Sequence, residues 1–378
     1  MHAKLIALFV LLLPISHQLR SAAAQDAAPN EGSIEIELQP VPPHIARPVV
    51  TALAAARDGR FLAVAGDDHV IRLYRFDAEQ AFPNRSEHEP SPSDKLITTK
   101  VRGLTLVANL EGHSDWIQTL VFSSDSKQLY SSGNDGRVLR WEYGANSKPT
   151  EITQLPYAVH SLSLSTQRQL LAIGGFSDQV GLWDLKTGDW KAHLACSCND
   201  QRCVRFSPDG TLLLSGGRDG AIHVWDTETA AEKNVLRAHR DRVQTAMFSA
   251  DGKVITSVGD DRRLVRYDLT TEQVILDRDL KGAKLRSMNL INDNLIAAAG
   301  AGNKIHVFDV LADSELGVLN GHTGSVAVMC SAAGFLISGS FDTTVRLWKI
   351  ESAVSAEPGF AKPVGLAPLD ADPNMEIR

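Results

Sequence analysis

His113, Ser131 and Asp135 are an imidazole, a hydroxyl and a carboxylate in one short stretch, and the same types recur as His239, Ser257, Asp261 and as His322, Ser338, Asp342. Together they are the equipment of nucleophilic acyl transfer, in which a carboxylate orients an imidazole that takes the hydroxyl proton. Recurrence argues against that use. A catalyst needs one such trio, whereas a structural device is needed once per structural unit. No other nucleophile with a base of its own, no acidic dyad outside these turns, no phosphate-cradling glycine loop and no H-E-x-x-H pattern occurs. The chain is therefore expected to have no catalytic residues, no cofactor and no metal ion, and not to be an enzyme.

The elements that carry the trios repeat as well. Trp141, Trp183, Trp225, Tyr267, Phe308 and Trp348 follow one another at intervals of 40–42 residues, each closing a strand-like run such as Arg137–Trp141 or Val345–Trp348. A period of this length means one supersecondary unit repeated around an axis. Asp58-Gly59, Asp209-Gly210 and Asp251-Gly252 lie between apolar runs, where a tight hairpin needs positive φ. Asp68, Asp135, Asp219, Asp261 and Asp342 each stand six positions before a closing aromatic; Ser177 and Gly302 replace the aspartate in two units. A degenerate first unit, Val49 to Tyr74, brings the count to seven. Nothing after Trp348 supplies an outer strand, and Ser33–Leu38 alternates polar and apolar residues, so this N-terminal strand is expected to pair beside the last unit and close the ring.

With Gly112-His113, Gly321-His322 and the dipeptides Trp183-Asp184 and Trp225-Asp226, the pattern resembles the WD-repeat (Trp-Asp repeat) family of β-propellers over roughly residues 33–350. The resemblance implies an all-β, seven-bladed β-propeller of four-stranded antiparallel blades. It also implies buried hydrogen-bonded chains of His113, Ser131, Asp135, Trp141; of His239, Ser257, Asp261, Tyr267; and of His322, Ser338, Asp342, Trp348. It further implies a non-catalytic platform that binds a protein or peptide through loops at the top of the ring. Register with the family selects Trp116, Gln118, Asn134, His160, Phe176, Arg202, Arg218, Arg242, Gln244, Asp260, Lys284, Arg286 and Phe341 as that surface. Aromatic and arginine side chains favour interface hot spots, and the positive balance of the set points to an acidic partner. The competing reading is a propeller that binds a small ligand or sugar, or acts on one, at the channel mouth. A third is a cofactor-free subunit of an extracytoplasmic redox assembly.

Lys4, the apolar run Leu5–Leu13 and the small residues Ala22–Ala24 make a secretory signal over residues 1–24, with a mature start at Gln25. The expected location is extracytoplasmic, periplasmic or secreted, in a bacterial host, without stable membrane insertion once the signal is removed. Residues 25–32 read as a linker, 33–350 as the propeller, 78–103 as an insertion on its first blade, and the proline-bearing 351–378 as a disordered tail. A net charge of −7 without basic runs argues against nucleic acid as partner. Of four cysteines, Cys196, Cys198 and Cys203 cluster where blade four should carry Gly-His. Export favours a local disulfide from Cys203 to Cys196 or Cys198; C-x-C-x₄-C without a nearby His is a weak zinc signal, and inert thiols are the third option. Cys330 reads as a small buried hydrophobe.

Overall fold

Strand after strand of five to eight residues, reversed by tight turns, gives seven antiparallel sheets in the computed structural model, which describes residues 33–44, 46–77, 100–101, 103–143 and 148–349. Each sheet is one blade. The innermost strands are Val50–Ala55, Ile117–Phe122, Val159–Ser165, Gln201–Phe206, Val243–Phe248, Leu285–Leu290 and Val326–Ala332. Each packs on the next, and the last packs on the first, so the blades form a closed ring around an axial channel. Gly59, Gly210 and Gly252 take φ of 71°, 71° and 73°, the left-handed conformation that the Asp-Gly turns require at little steric cost.

The core is divided among the blade interfaces. Between blades one and two, Ala63, Leu73, Leu120, Leu129 and Trp141 pack together; between six and seven, Val307, Met329, Leu336 and Trp348 do. Because every blade is apolar on both faces, no blade buries its surface alone, which is why the unit must repeat. The ring closes as expected. Ser33–Glu37 runs antiparallel to Thr344–Lys349, with Ile34 opposite Leu347 and Ile36 opposite Val345. Ile36 and Leu38 bury against Leu53, Phe335 and Leu347, and Arg346 pairs with Glu35 across the seam. Blade one has a fifth strand, Lys100–Val101, hydrogen-bonded outside Leu104–Glu111. The signal segment 1–24, the linker 25–32, most of the insertion 78–103 and the tail 351–378 lie outside the described residues.

One irregularity is common to all seven blades. The ladder between inner strand and neighbour slips by one residue after Val50, Ile117, Val159, Gln201, Val243, Leu285 and Val326. The bulged residues are Thr51, Gln118, His160, Arg202, Gln244, Arg286 and Ala327. A bulge leaves one residue unpaired and re-aims its side chain. Here it does so seven times around one mouth.

Candidate functional site: the mouth of the axial channel

The three trios are internal. Trp141 Nε1 donates to Ser131 Oγ at 2.8 Å, Ser131 Oγ lies 2.8 Å from His113 Nε2, and His113 Nδ1 lies 2.8 Å from Asp135 Oδ2. An indole can only donate and a carboxylate only accept, so Nδ1 carries the proton that reaches Asp135, and the serine hydroxyl bridges the indole and Nε2. His322, Ser338, Asp342 and Trp348 repeat the chain at 2.7–2.9 Å. In blade five His239 joins Ser257 and Asp261, but Tyr267 brings no indole, so that chain ends at the serine rather than at the aromatic expected from sequence. Ser131 and Ser338 are fully buried, so neither can meet a substrate. Burial alone would raise the Asp135 pKa, but hydrogen bonds from His113 and the Ser114 amide hold it below the ordinary carboxylate value. Asp261 and Asp342 are depressed by the same balance.

Blade four departs. Trp225 still donates to Ser215, but Ser197, not a histidine from the Gly-His position, donates to Asp219 Oδ2 at 2.7 Å, with His223 Nε2 3.4 Å from the same oxygen. The expected disulfide is not formed: all four cysteines are free thiols. The reason is local. Cys198 Sγ points at the Asp200 carbonyl and accepts the Arg218 amide, Cys196 Sγ accepts from Gln201, and Cys203 Sγ faces Gly216 in the blade core. Each sulfur thus has its own polar partner. Burial pushes the Cys203 and Cys330 thiols up to about 12, which keeps them protonated and unreactive.

The bulged residues surround a well of about 320 Å³ at the head of the channel. Seven of the residues selected from sequence line it: Trp116, Gln118, His160, Arg202, Gln244, Arg286 and Phe341. Others support them from behind. Asn134 accepts from Gln118 and Asp260 from Gln244, the same contact in blades two and five. Phe176 packs edge-on against His160 at 4.7 Å and lies under the Arg202 guanidinium at 5.3 Å. Trp116, Phe176 and Phe341 are 41%, 49% and 39% exposed, which is high for large apolar side chains on one face.

The positive balance is smaller than the sequence suggests. Asp200, buried beneath the rim, pairs with Arg202 and Arg242, at 2.9 and 3.0 Å. Asp260 takes Lys284 at 3.3 Å, and Arg242 more distantly. Arg242 and Lys284 therefore stand back from the well in an ion-pair chain. Arg218 and Arg286 are exposed and meet no carboxylate among the described residues. Burial, with Arg202 and Arg242 adding to it, pulls His160 down to about 4, so its ring is neutral near pH 7. Both ring nitrogens are buried without a hydrogen-bond partner.

Sequence reasoning missed Arg205. It lines both the well and the lower channel, at the register position held by Ala54, Val121, Ser163, Met247, Asn289 and Cys330 in the other blades. Superposing the units would have exposed it as the single charge at that position.

A family model, the WD domain, G-beta repeat, matches residues 38–75, 104–142, 187–226, 231–268 and 313–349. The unmatched stretches 143–186 and 269–312 hold Ser177 and Gly302, the units without a turn aspartate. The rat and human serine-threonine kinase receptor-associated proteins are each 24% identical over 182 residues, covering 43% of this chain and 51% of each relative. Mitochondrial division protein 1 of Neurospora crassa is 32% identical over 83 residues, 19% of this chain and 13% of that protein. The chain spans about half the length of the receptor-associated relatives it matches.

Proposed function

Because the chain belongs to the WD-repeat family, we propose that it is an exported, non-catalytic interaction scaffold that binds a protein or peptide partner on the upper face of its propeller. The observation that carries this is the ring of bulged side chains. The fold brings seven side chains of five types to one mouth and leaves three large aromatics exposed beside them. Repeated positions that serve stability hold similar residues from blade to blade, whereas these differ at nearly every step, as recognition of a particular partner demands. Uncompensated Arg218 and Arg286 suit a partner with an acidic face.

Export rests on residues 1–24, with the mature chain starting at Gln25 and the propeller occupying 33–350. On this reading the protein works in the periplasm or outside a bacterial cell. Mass spectrometry of the exported protein should find Gln25 at its N-terminus; an intact Met1 in membrane material would mean a signal anchor instead.

The binding face is tested with Trp116→Ala, Arg286→Ala and Phe341→Ala combined, since Arg242 and Lys284 are engaged in ion pairs and would disturb the rim. Wild-type protein should capture a defined partner from the native envelope, and the triple variant should lose it with its melting temperature nearly unchanged. Undiminished capture would move the site to the blade rims or the 78–103 insertion.

A further inference from the structure

The axial well differs from the rest of this acidic protein. None of the described residues that line it carries a carboxylate, while Arg202, Arg205 and Arg286 all do line it. Arg202 is neutralised by Asp200; Arg205 is not. Its Nη1 donates to the Leu162 and Val204 carbonyls at 3.2 and 3.4 Å, and no acceptor among the described residues meets Nε or Nη2. Protein surrounds the side chain, yet it remains partly open to the channel. Burial lowers the Arg205 pKa from its ordinary value, but a guanidinium remains charged at any physiological pH. The fixed carbonyl contacts hold one edge of the guanidinium and leave the Nε–Nη2 edge free. That edge is the fork that accepts a carboxylate through two parallel hydrogen bonds.

Resting on the upper-face reading above, we propose that the well receives the C-terminal carboxylate of the partner chain, which enters end-on and pairs with Arg205. Depth favours a chain end over a side chain. Arg205 lies three residues below Arg202 on the inner strand, about 10 Å down at the usual strand rise. A Glu side chain on a segment lying across the rim extends only about 5 Å from its own backbone. An extended terminus covers the distance with about three residues. The hydroxyls of Thr119, Ser161 and Thr245 line its path, and Trp116 and Phe341 stand at the entrance for the residues that follow.

The test uses acetyl-pentaglycine as free acid, the same peptide as C-terminal amide, and acetyl-Gly-Gly-Glu-Gly-Gly-amide, each titrated into the full-length mature protein. Binding is followed by the Arg205 Nε–H resonance and by calorimetry. The free acid should bind at least tenfold more tightly than the amide and shift that resonance. Arg205→Gln should abolish the preference, and Arg205→Lys, which keeps the charge without the fork, should retain part of it. Equal binding of acid and amide, or a preference that survives Arg205→Gln in a variant that melts like wild type, would overturn the proposal. A preference for the internal Glu peptide alone would overturn the end-on assignment. Failure of the scaffold reading would look different: the rim triple variant would still capture the partner while the free-acid preference stayed intact in wild type.

Discussion

Blades two and four are built on the same register but hold their turn aspartates differently. In blade two, Asp135 ends a chain running from Trp141 through Ser131 and His113, with the histidine side chain fully buried and the carboxylate 4% exposed. In blade four the aspartate is 22% exposed and turns to Ser197 and His223, leaving Trp225 and Ser215 as a separate pair. The first arrangement is sealed, and every polar atom in it is committed. The second is open to water, and the segment that replaces Gly-His carries Asp200 and Arg202 to the mouth of the well instead. Where the repeat is kept, the blade is glued; where it is broken, the freed segment shapes the surface.

The sharpest way to break this contrast is to remove both aspartates in turn. Asp135→Ala strands His113 and two backbone amides in the interior and should cost about 4 kcal/mol in urea unfolding. Asp219→Ala, which leaves Ser197 open to water and the buried His223 still paired with Glu232, should cost about 1 kcal/mol. Equal losses would mean that the blade-four aspartate is as integral as its counterpart. The pH dependence of blade two follows from the depressed Asp135 pKa. Its contribution is complete above the unfolded value of 3.8 and disappears as pH falls through the lower folded value.

His160 sharpens the comparison from the opposite sign. A histidine with both nitrogens unpaired and a folded pKa of about 4 binds its proton more readily in the unfolded chain, whose value is 6.5. Stability should therefore be undiminished above pH 6.5 and fall as pH drops toward 4, by on the order of 3 kcal/mol. His160→Gln should flatten that slope in pH-dependent thermal unfolding, whereas His113→Gln, which breaks a chain of hydrogen bonds at both ring nitrogens, should lower the melting temperature at neutral pH. An unchanged slope would show that His160 finds a partner.

Alkylation distinguishes the thiols of the open blade with the smallest effect. At pH 8, the buried Cys203, held up to about 12 by burial, should resist iodoacetamide in the native protein while the partly exposed Cys196 reacts first. Rapid labelling of Cys203 without unfolding would show that blade four opens on its own.

The architecture was legible in the sequence because its determinants are local and repeated. Each Asp-Gly turn and closing aromatic is decided within one unit, and Ser33–Glu37 betrays its role by period-two alternation alone. The top-face set was found by register, and Trp116, His160, Arg202 and Phe341 do meet at one well. What stayed hidden depends on distances between blades. Sequence gave no sign that Asp200 reaches Arg242 of the next blade, nor that Tyr267 leaves Ser257 without a donor. Arg205 looks like any strand arginine until the ring places it in a channel where none of the described lining residues carries a carboxylate. The disulfide was inferred from compartment and crowding, but sulfurs close in sequence are turned to different carbonyls by the strand geometry.

The seam between Ser33–Glu37 and Thr344–Lys349 sets a rule of timing. Synthesis runs from the N-terminus, so the first strand of the ring to emerge is the last to be seated, and it waits for the whole circuit to be made. Until then blade seven lacks its outermost strand and the chain presents an unpaired edge of the kind that invites pairing with other molecules. A product truncated just before Thr344 would keep most of its blades yet never shut, which makes the final strand the checkpoint that separates a finished molecule from an adhesive one.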